Sequence, residues 1–271
     1  MNNVVVLDAC TIVNLARIDD GYFLEDKVRA LKPYAVEKVI GEVKDRYIPT
    51  NSTSTRKLHL VPYWGGLTLF EDKNVEDIAD AVRAFLNYQK KPNGELYSAA
   101  LSLFLSRVEG EKVLFYTDDY PAKKEFTSYF DFQQTGYIGD SVDLLVFLFW
   151  LSPHGTFSKN EFERYLTALR GVYVSKVIKI HKKIVQYASI LTSSNKALVR
   201  RRFDMEGLAA ELVSSKPLND TINKCKKFFD GDKSAQGKDI NKMLDDFGDS
   251  PAIVEKVDVM LQGVNEYGIY K

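Results

Sequence analysis

The stretch Val4-Val5-Val6-Leu7-Asp8 decides the fold, together with its later counterpart Val113-Leu114-Phe115-Tyr116-Thr117-Asp118. In each stretch a short apolar run leads straight into an aspartate. Apolar runs of this length are typical of strands that are buried on both faces of a parallel sheet. Residues that follow such strands lie at the rim where open α/β sheets bind ligands. We therefore predict a parallel sheet whose carboxyl edge carries Asp8 and Asp118.

Short strands and amphipathic helical patterns alternate through the first part of the chain, which indicates an α/β fold. A further strand is expected at residues 58–60 or 67–70, and a last one at residues 132–138. Thr117 is expected to cap the helix that carries Pro121 in its first turn. Helices are predicted at residues 13–18, 25–31, 36–46, 75–88, 95–105 and 141–151.

The composition limits the kinds of site that the chain can build. It has 271 residues, a formal net charge of zero, two cysteines and three histidines. A net charge of zero gives no overall attraction to nucleic acid, but it does not exclude a local basic surface. Two cysteines are too few for a disulfide framework or a thiolate zinc site, and no two histidines have metal-ligand spacing. Any metal must therefore be held mainly by oxygen, which favours Mg²⁺ or Mn²⁺.

No segment predicts export or insertion into a membrane. The first residues lack the basic region and the apolar core of a signal peptide. The most apolar run, residues 144–151, is far shorter than the ~20 residues that span a bilayer. We therefore expect a cytoplasmic protein that has no membrane partner.

The character of the chain changes near residue 175, where we expect a domain boundary between residues 1–175 and a helical region at 176–271. Between Arg164 and Phe203 there is no acidic residue, while basic residues accumulate, among them Lys179, Lys182 and Lys183. Such a stretch can contact a phosphate backbone, because Lys and Arg supply most sequence-independent affinity for nucleic acid. It can equally be a solvated helix face whose acidic partners lie elsewhere in the fold.

Acidic residues at four places in the sequence could meet at one edge of the sheet. Asp8 and Asp118 become neighbours if their strands pair, and Glu95 follows Gly94 at the start of a predicted helix, so its side chain can point back to that edge. Carboxylates this close repel one another by up to ~4 kcal/mol per pair at an effective dielectric constant of about 20. A divalent cation relieves that repulsion. The alternative for each acid is a helix cap or a solvated surface charge.

The ordered set of acidic motifs resembles that of PIN-domain nucleases. The resemblance covers about residues 1–175; the motifs that carry it are Asp8-Ala-Cys-Thr-Ile-Val-Asn-Leu-Ala-Arg-Ile18, Val36-Glu-Lys-Val-Ile-Gly-Glu42-Val, Gly94-Glu95-Leu-Tyr-Ser-Ala-Ala-Leu101, Tyr116-Thr-Asp118-Asp119-Tyr-Pro-Ala-Lys-Lys124 and Thr135-Gly-Tyr-Ile-Gly139-Asp-Ser-Val. It implies a three-layer α/β/α fold around a parallel sheet, with residues 176–271 as a helical extension outside the resemblance. It also implies an endonuclease that depends on Mg²⁺ or Mn²⁺ and cuts RNA. Many proteins of this kind are toxins of bacterial toxin–antitoxin pairs, so an inhibitor protein and a homodimer are the implied partners.

The resemblance also implies a role for each matching residue. Asp8, Glu95, Asp118 and Asp119 would bind the metal, and Glu42 would join Asp8, Glu95 and Asp118 in catalysis. Cys10 stands where a serine is common, so Thr11 is expected to take the hydroxyl role and, with Asn14, to orient Asp8. Apart from the resemblance, Lys123 and Lys124 are expected to contact phosphate because they lie close behind the aspartate pair. Lys179, Lys182 and Lys183 of the acid-free stretch, outside the resemblance, are expected to do the same.

Two other functions remain open from the sequence. The nuclease could act on DNA or on a structured nucleic acid. The chain could instead be a catalytically weak PIN-like scaffold that uses its C-terminal helices as a docking surface. The full acidic set argues against the scaffold.

Overall fold

Five strands among the described residues form one parallel sheet, in the spatial order Thr68–Phe70, Tyr34–Val36, Asn3–Leu7, Lys112–Tyr116 and Gly136–Gly139. The computed structural model describes residues 3–19, 22–43, 47–49, 55–57, 66–153, 155–191, 195–214, 218–247 and 250–266. The strands of the sheet are β1 (Asn3–Leu7), β2 (Tyr34–Val36), β5 (Thr68–Phe70), β6 (Lys112–Tyr116) and β7 (Gly136–Gly139). Two further strands, β3 (Tyr47–Pro49) and β4 (Thr55–Lys57), pair antiparallel as a separate two-stranded sheet.

Helices follow most of the strands, as expected for an α/β fold. They are α1 (Ala9–Ile18), α2 (Phe23–Ala30), α3 (Glu37–Val43), α4 (Glu76–Phe85), α5 (Gly94–Arg107), α6 (Tyr120–Gln133), α7 (Ser141–Leu151), α8 (Lys159–Ile190), α9 (Lys196–Ser214), α10 (Leu218–Phe229), α11 (Ala235–Phe247) and α12 (Ser250–Glu266). A parallel sheet with this many helices is compatible with a three-layer arrangement. In the described part of the chain, no helix has the length and apolar character needed to cross a membrane.

The central strands β1 and β6 are buried because their apolar residues lie inside the sheet. Val6, Leu7, Val113 and Phe115 have no exposed surface. β1 and β6 pair in register over their full length, from Asn3 opposite Lys112 to Leu7 opposite Tyr116. This confirms the predicted parallel pairing and fixes the ends of the two strands at the same edge.

The chain divides into two compact units, and the division falls within α8, between Leu169 and Arg170. The first unit contains the parallel sheet. The second unit is helical and has a core of its own, in which Ile184, Met205 and Phe229 are fully buried. Apolar side chains at helical spacing from four helices supply this core.

Several predicted elements agree with the structure. The strand predicted at residues 132–138 is wrong in its first part, because residues 132–133 still belong to α6 and β7 begins only at Gly136. The helix predicted at residues 141–151 is confirmed as α7, and the strand at 67–70 as β5, while residues 58–60 lie outside the described part of the chain. The sequence did not predict β2, because a three-residue strand has no periodicity of its own. β2 is held by pairing with both β1 and β5, which are distant in sequence. The predicted helix at 36–46 therefore begins later, at Glu37.

The expected helix cap at Thr117 is also wrong, because Asp119 caps α6. Its side chain accepts a hydrogen bond of 2.9 Å from the backbone N–H of Ala122, and Pro121 lies in the first turn as expected. A carboxylate at this position satisfies an otherwise unpaired N–H and interacts favourably with the helix dipole. Thr117 is thereby left for another role.

Gly136 at the start of β7 gives a direct test of the sheet. Its φ is +154°, and an added Cβ would lie 1.9 Å from the carbonyl oxygen of Val113. We expect Gly136→Ala to lower the free energy of unfolding by at least about 3 kcal/mol, since backbone atoms of β6 must move. Gly41→Ala is the matched control: no atom lies within 4 Å of its added Cβ, and it should stabilise α3 by about 0.5–1 kcal/mol. Urea unfolding of both variants measures this, and equal stability would contradict the register of β6 with β7.

Candidate active site at the carboxyl edge of the sheet

Asp8 and Asp118 are brought together by the pairing of β1 with β6. The backbone N–H of Asp8 donates to the carbonyl oxygen of Tyr116 at 3.0 Å, and the N–H of Thr117 donates to that of Gly139 at 2.9 Å. The ladder therefore continues past the strand ends. As a result, both aspartates leave the sheet at the same edge, as the sequence predicted.

The Asp8 carboxylate is buried and only partly satisfied by hydrogen bonds. Its Oδ2 accepts from the Cys10 thiol at 2.8 Å and from the Thr117 hydroxyl at 3.0 Å. Its Oδ1 is shielded from water and has no hydrogen-bond partner among the described residues, although the Ala9 amide is close enough to favour the charged form. Burial raises the pKa of Asp8 to about 6, and the negative charge of Glu42 adds to the rise, against the hydrogen bonds that lower it. A cation beside Oδ1 would stabilise the charged form of Asp8.

The Asp118 carboxylate is fixed by donors from two helices. Asn14 Nδ2 of α1 donates to Oδ2 at 2.7 Å, and the Ser141 backbone N–H of α7 donates to Oδ1 at 2.7 Å. The Ser141 hydroxyl also donates to Oδ2. Burial raises the pKa of Asp118, and the bonds from Ser141 and Asn14 offset part of that rise.

The Cys10 thiol connects the two aspartates. It donates to Asp8 Oδ2, while its Sγ accepts a hydrogen bond of 3.0 Å from the backbone N–H of Asp118. Burial and the charges of Asp8 and Asp118 raise the pKa of the Cys10 thiol well above its usual value. Cys10 therefore remains a thiol at neutral pH, which suits a positioning residue and not a nucleophile.

Glu95 and Asp119 form a second acidic pair beside the first. Asn93 Nδ2 donates to Glu95 Oε2 at 3.2 Å, and Lys90 Nζ lies 3.5 Å from the same oxygen. The pKa of Glu95 is raised to about 8. Burial is the largest cause, followed by a hydrogen bond with Asp119 and by the charges of Asp119 and Asp8. A cation between the two carboxylates would relieve the repulsion that raises the pKa of Glu95.

Glu42 lies at the amino terminus of α5. Its Oε1 accepts a hydrogen bond of 2.8 Å from the backbone N–H of Gly94. An added Cβ on Gly94 would lie 2.9 Å from Glu42 Oε2 and 3.0 Å from Val39 Cγ2, so a larger residue would push the carboxylate away. Gly94 therefore leaves room for the Glu42 carboxylate, and the next residue, Glu95, is itself part of the acidic cluster.

The expected roles of Thr11 and Asn14 need correction. Thr11 is fully buried and its hydroxyl has no hydrogen-bond partner among the described residues, so it does not orient Asp8. Cys10 and Thr117 supply that orientation instead. Asn14 donates to Asp118, the aspartate of the neighbouring strand. The sequence could not resolve this, because the strand pairing decides which aspartate each donor meets.

The lysines expected to contact nucleic acid occupy different environments. Lys123 Nζ lies 2.9 Å from Asp140 and 3.6 Å from Asp143, so its charge is largely compensated, whereas Lys124 is exposed. In the second unit Lys179 and Lys182 are exposed.

Other basic residues of the acid-free stretch have acidic partners on later segments. Lys183 Nζ lies 2.8 Å from Asp239, and Arg201 Nη2 lies 2.6 Å from Asp232. For these residues the structure favours the solvated helix face with acidic partners elsewhere over a free phosphate-binding surface.

Sequence reasoning missed several residues that hold the site. From the sequence alone, Cys10 and Ser141 have no predicted role in holding the aspartates, and Thr117 is predicted only as a helix cap. The signal for Ser141 was present: Asp140 and Asp143 form a capping box at the start of α7, which exposes the Ser141 N–H to Asp118. The contacts of Cys10 with Asp118 and of Thr117 with Asp8 join residues 108 and 109 positions apart, so the sequence carries no local signal for them.

The cluster matches a hard divalent cation in donor chemistry. Every acidic group in it offers oxygen, Asp8 Oδ1 lacks a partner, and Glu95 and Asp119 repel one another unless a proton or cation intervenes. As the side chains stand, no group of three His, Cys, Asp or Glu in the described ranges is placed to hold a metal ion together. The residues fit such an ion by chemistry, with Asp8 and the Glu95–Asp119 pair as the groups that have coordination capacity.

The chain was also compared with known proteins. No protein family, curated protein or solved structure matches it.

Cys10 can be tested by two substitutions that differ in hydrogen bonding. Cys10→Ala removes the donor to Asp8 and the acceptor for the Asp118 N–H, so we expect a loss of about 1–3 kcal/mol in the free energy of unfolding. Cys10→Ser keeps both functions and should cost less. Cys225 is the matched control, because it is fully buried in the apolar core of the second unit. There we expect the order to reverse, with serine worse than alanine. Equal effects of alanine and serine at position 10 would contradict a bridging role.

The raised pKa of Asp8 predicts how stability depends on pH. The folded state binds the Asp8 proton more tightly than the unfolded chain, since the pKa is about 6 against an ordinary 3.8. Tighter binding of this proton adds up to about 3 kcal/mol to the free energy of unfolding. The added stability is fully present below about pH 4 and is lost as the pH rises through 6. Asp8→Asn removes the titration while keeping an acceptor for Cys10 and Thr117. Urea unfolding in a metal chelator should therefore show a flatter profile for Asp8→Asn between pH 4 and 7. Parallel profiles for wild type and variant would contradict the burial of a charged Asp8.

Proposed function

We propose that the protein is a nuclease of the PIN-domain type that depends on Mg²⁺ or Mn²⁺ and cuts RNA. The observation that carries the proposal is the buried, unpartnered Asp8 Oδ1 at a sheet edge where Glu42, Glu95, Asp118 and Asp119 also gather. Acids with raised pKa values, arranged at the carboxyl edge of a parallel sheet, are typical of functional sites. The three-layer α/β/α arrangement of PIN domains belongs to the same proposal.

Within this function the chain's residues have separable tasks. Asp8, Glu95 and Asp119 would hold the cation, with Asp118 beside them at the same edge. When bound, the cation would supply Lewis-acid polarisation of the phosphate and would lower the pKa of a bound water. Cys10 and Thr117 hold Asp8, and Asn14 and Ser141 hold Asp118, so that the two carboxylates do not turn away from the edge.

Because the pKa of Glu95 is raised to about 8 and a cation would bind its charged form, we expect cation affinity to increase with pH up to about 8. Glu42, held on the amino terminus of α5, is close enough to Asp8 to raise the pKa of that aspartate.

The biological setting rests on the motif resemblance alone. By that resemblance the protein is a toxin or defence nuclease of the cytoplasm, restrained by an inhibitor protein and able to form a homodimer. The exposed Lys124 is the residue near the site best placed for a phosphate, since Lys123 is paired with Asp140.

A cleavage assay with a matched control tests the nuclease. Wild type, Asp8→Asn and Asp131→Asn are incubated with single-stranded RNA and with DNA of the same sequence, in Mg²⁺, in Mn²⁺ and in chelator. We expect cation-dependent cleavage of RNA by the wild type and a loss on the order of a hundredfold or more in Asp8→Asn. Asp131 is an exposed acid of α6 outside the cluster, so Asp131→Asn should cut like the wild type.

A readout of cation binding separates the alternatives. Mn²⁺ should raise the melting temperature of the wild type at pH 8 and have little effect on Asp8→Asn, because the cation relieves the charge that burial leaves on Asp8. Cleavage of DNA alone would change the substrate class. Cation binding without cleavage of either polymer would favour a catalytically weak scaffold. No cation binding and no cleavage would overturn the proposal.

A further inference from the structure

The second unit contains an apolar groove between α8, α9 and α12. Its volume is about 670 Å³, within the range of roughly 300–1,000 Å³ that is typical of small-molecule sites. Most of its lining is branched aliphatic, with Val174 and Ile178 from α8, Leu212 from α9 and Val259 from α12. The groove lies wholly within one compact unit, and α8 and α9 also contribute to that unit's core.

The rim of the groove exposes apolar surface. Ile178 is 43% exposed, Val213 is 58% exposed and Val259 is 65% exposed. An occupant that covers these side chains gains about 25 cal/mol per Å² of apolar surface removed from water. The aliphatic walls therefore select an occupant with an apolar body.

One wall of the groove carries an uncompensated negative charge. Arg170 Nε donates to Asp258 Oδ1 at 2.7 Å and Nη2 donates to Oδ2 at 3.4 Å, so these two charges cancel. Glu255 lies three residues before Asp258 on α12, on the same face of the helix. Its Oε1 is shielded from water and has no hydrogen-bond partner among the described residues. A cation in the groove would balance the negative charge of Glu255.

We propose that this groove binds a small amphiphilic amine: an aliphatic or aromatic body with one ammonium or guanidinium group. The body packs against the aliphatic walls and the cation pairs with Glu255. An anion of the same size would meet the carboxylates of Glu255 and Asp258. A neutral hydrocarbon would leave the Glu255 oxygen without a donor. The proposal is independent of the nuclease function, since its residues belong to the second unit.

Three n-octyl compounds with one apolar chain and different head groups test the proposal: octylamine, octanol and octanoate. Their binding to the full chain is measured by titration calorimetry. We expect octylamine to bind saturably and about tenfold more tightly than octanol, because a charge-assisted hydrogen bond to a shielded carboxylate is gained. Octanoate should bind most weakly of the three.

A neutral variant of the same size isolates the charge. Glu255→Gln should bring octylamine to within about twofold of octanol. Octanol should keep its wild-type affinity, which shows that the groove is intact in the variant. Glu206→Gln is the matched control, an exposed acid of α9 outside the groove, and it should leave the preference unchanged.

Two bulky variants locate the binding site. Ile178→Trp and Val259→Trp fill the groove from opposite helices at exposed positions, and each should abolish binding of octylamine and octanol. Equal affinities of octylamine and octanol for the wild type would overturn the proposal, as would a preference that survives Glu255→Gln or binding that survives both tryptophan variants. It would also be overturned if no probe saturates, or if the tryptophan variants dissociate a dimer in sedimentation, since a second copy would then be the occupant.

Discussion

The parallel pairing of β1 with β6 is the constraint on which the rest of the candidate site depends. The two strands are separated by about a hundred residues of chain, yet they pair from their first residues to their last. Because parallel strands end at the same edge, Asp8 and Asp118 emerge side by side. A shift of one residue in this register would turn the flanking side chains to opposite faces of the sheet and separate Asp8 from Thr117.

The site concentrates negative charge where burial opposes it. The pKa values of Asp8, Glu95 and Asp118 are all raised, and burial is the largest cause in each case. Burying these charged carboxylates lowers the free energy of unfolding at neutral pH. Residues outside the cluster must therefore hold the carboxylates in place. Hydrogen bonds from residues near the same edge of the sheet do this: the Cys10 thiol and the Thr117 hydroxyl donate to Asp8, while Asn14 and Ser141 donate to Asp118. Acids of this kind at a sheet edge are common at functional sites, where a bound group supplies the missing positive charge.

The second unit shows how a sequence with no net charge distributes its charges. The stretch without acids is strongly basic in sequence, but Lys183 and Arg201 meet acids that lie further along the chain. Arg170 is likewise paired with Asp258. Glu255 differs because its shielded oxygen has no donor among the described residues and lies in the lining of an apolar groove. The local balance of charge, and not the composition, therefore distinguishes this wall from the surrounding helices.

The sequence by itself determined the α/β class, the main strands and the order of the acids. Apolar runs such as residues 4–7 and 113–116 carry that information locally, and so does the long apolar helix at 141–151. It did not determine β2, whose three residues are held by partners on both sides, nor the donors that hold each aspartate. Only the tertiary structure placed Cys10 between Asp8 and Asp118 and matched Asn14 to Asp118. The physical reason is the range of the interactions. Hydrophobic periodicity is a property of one segment of the chain, whereas these hydrogen bonds and charge pairs join residues that meet only after the strands have paired.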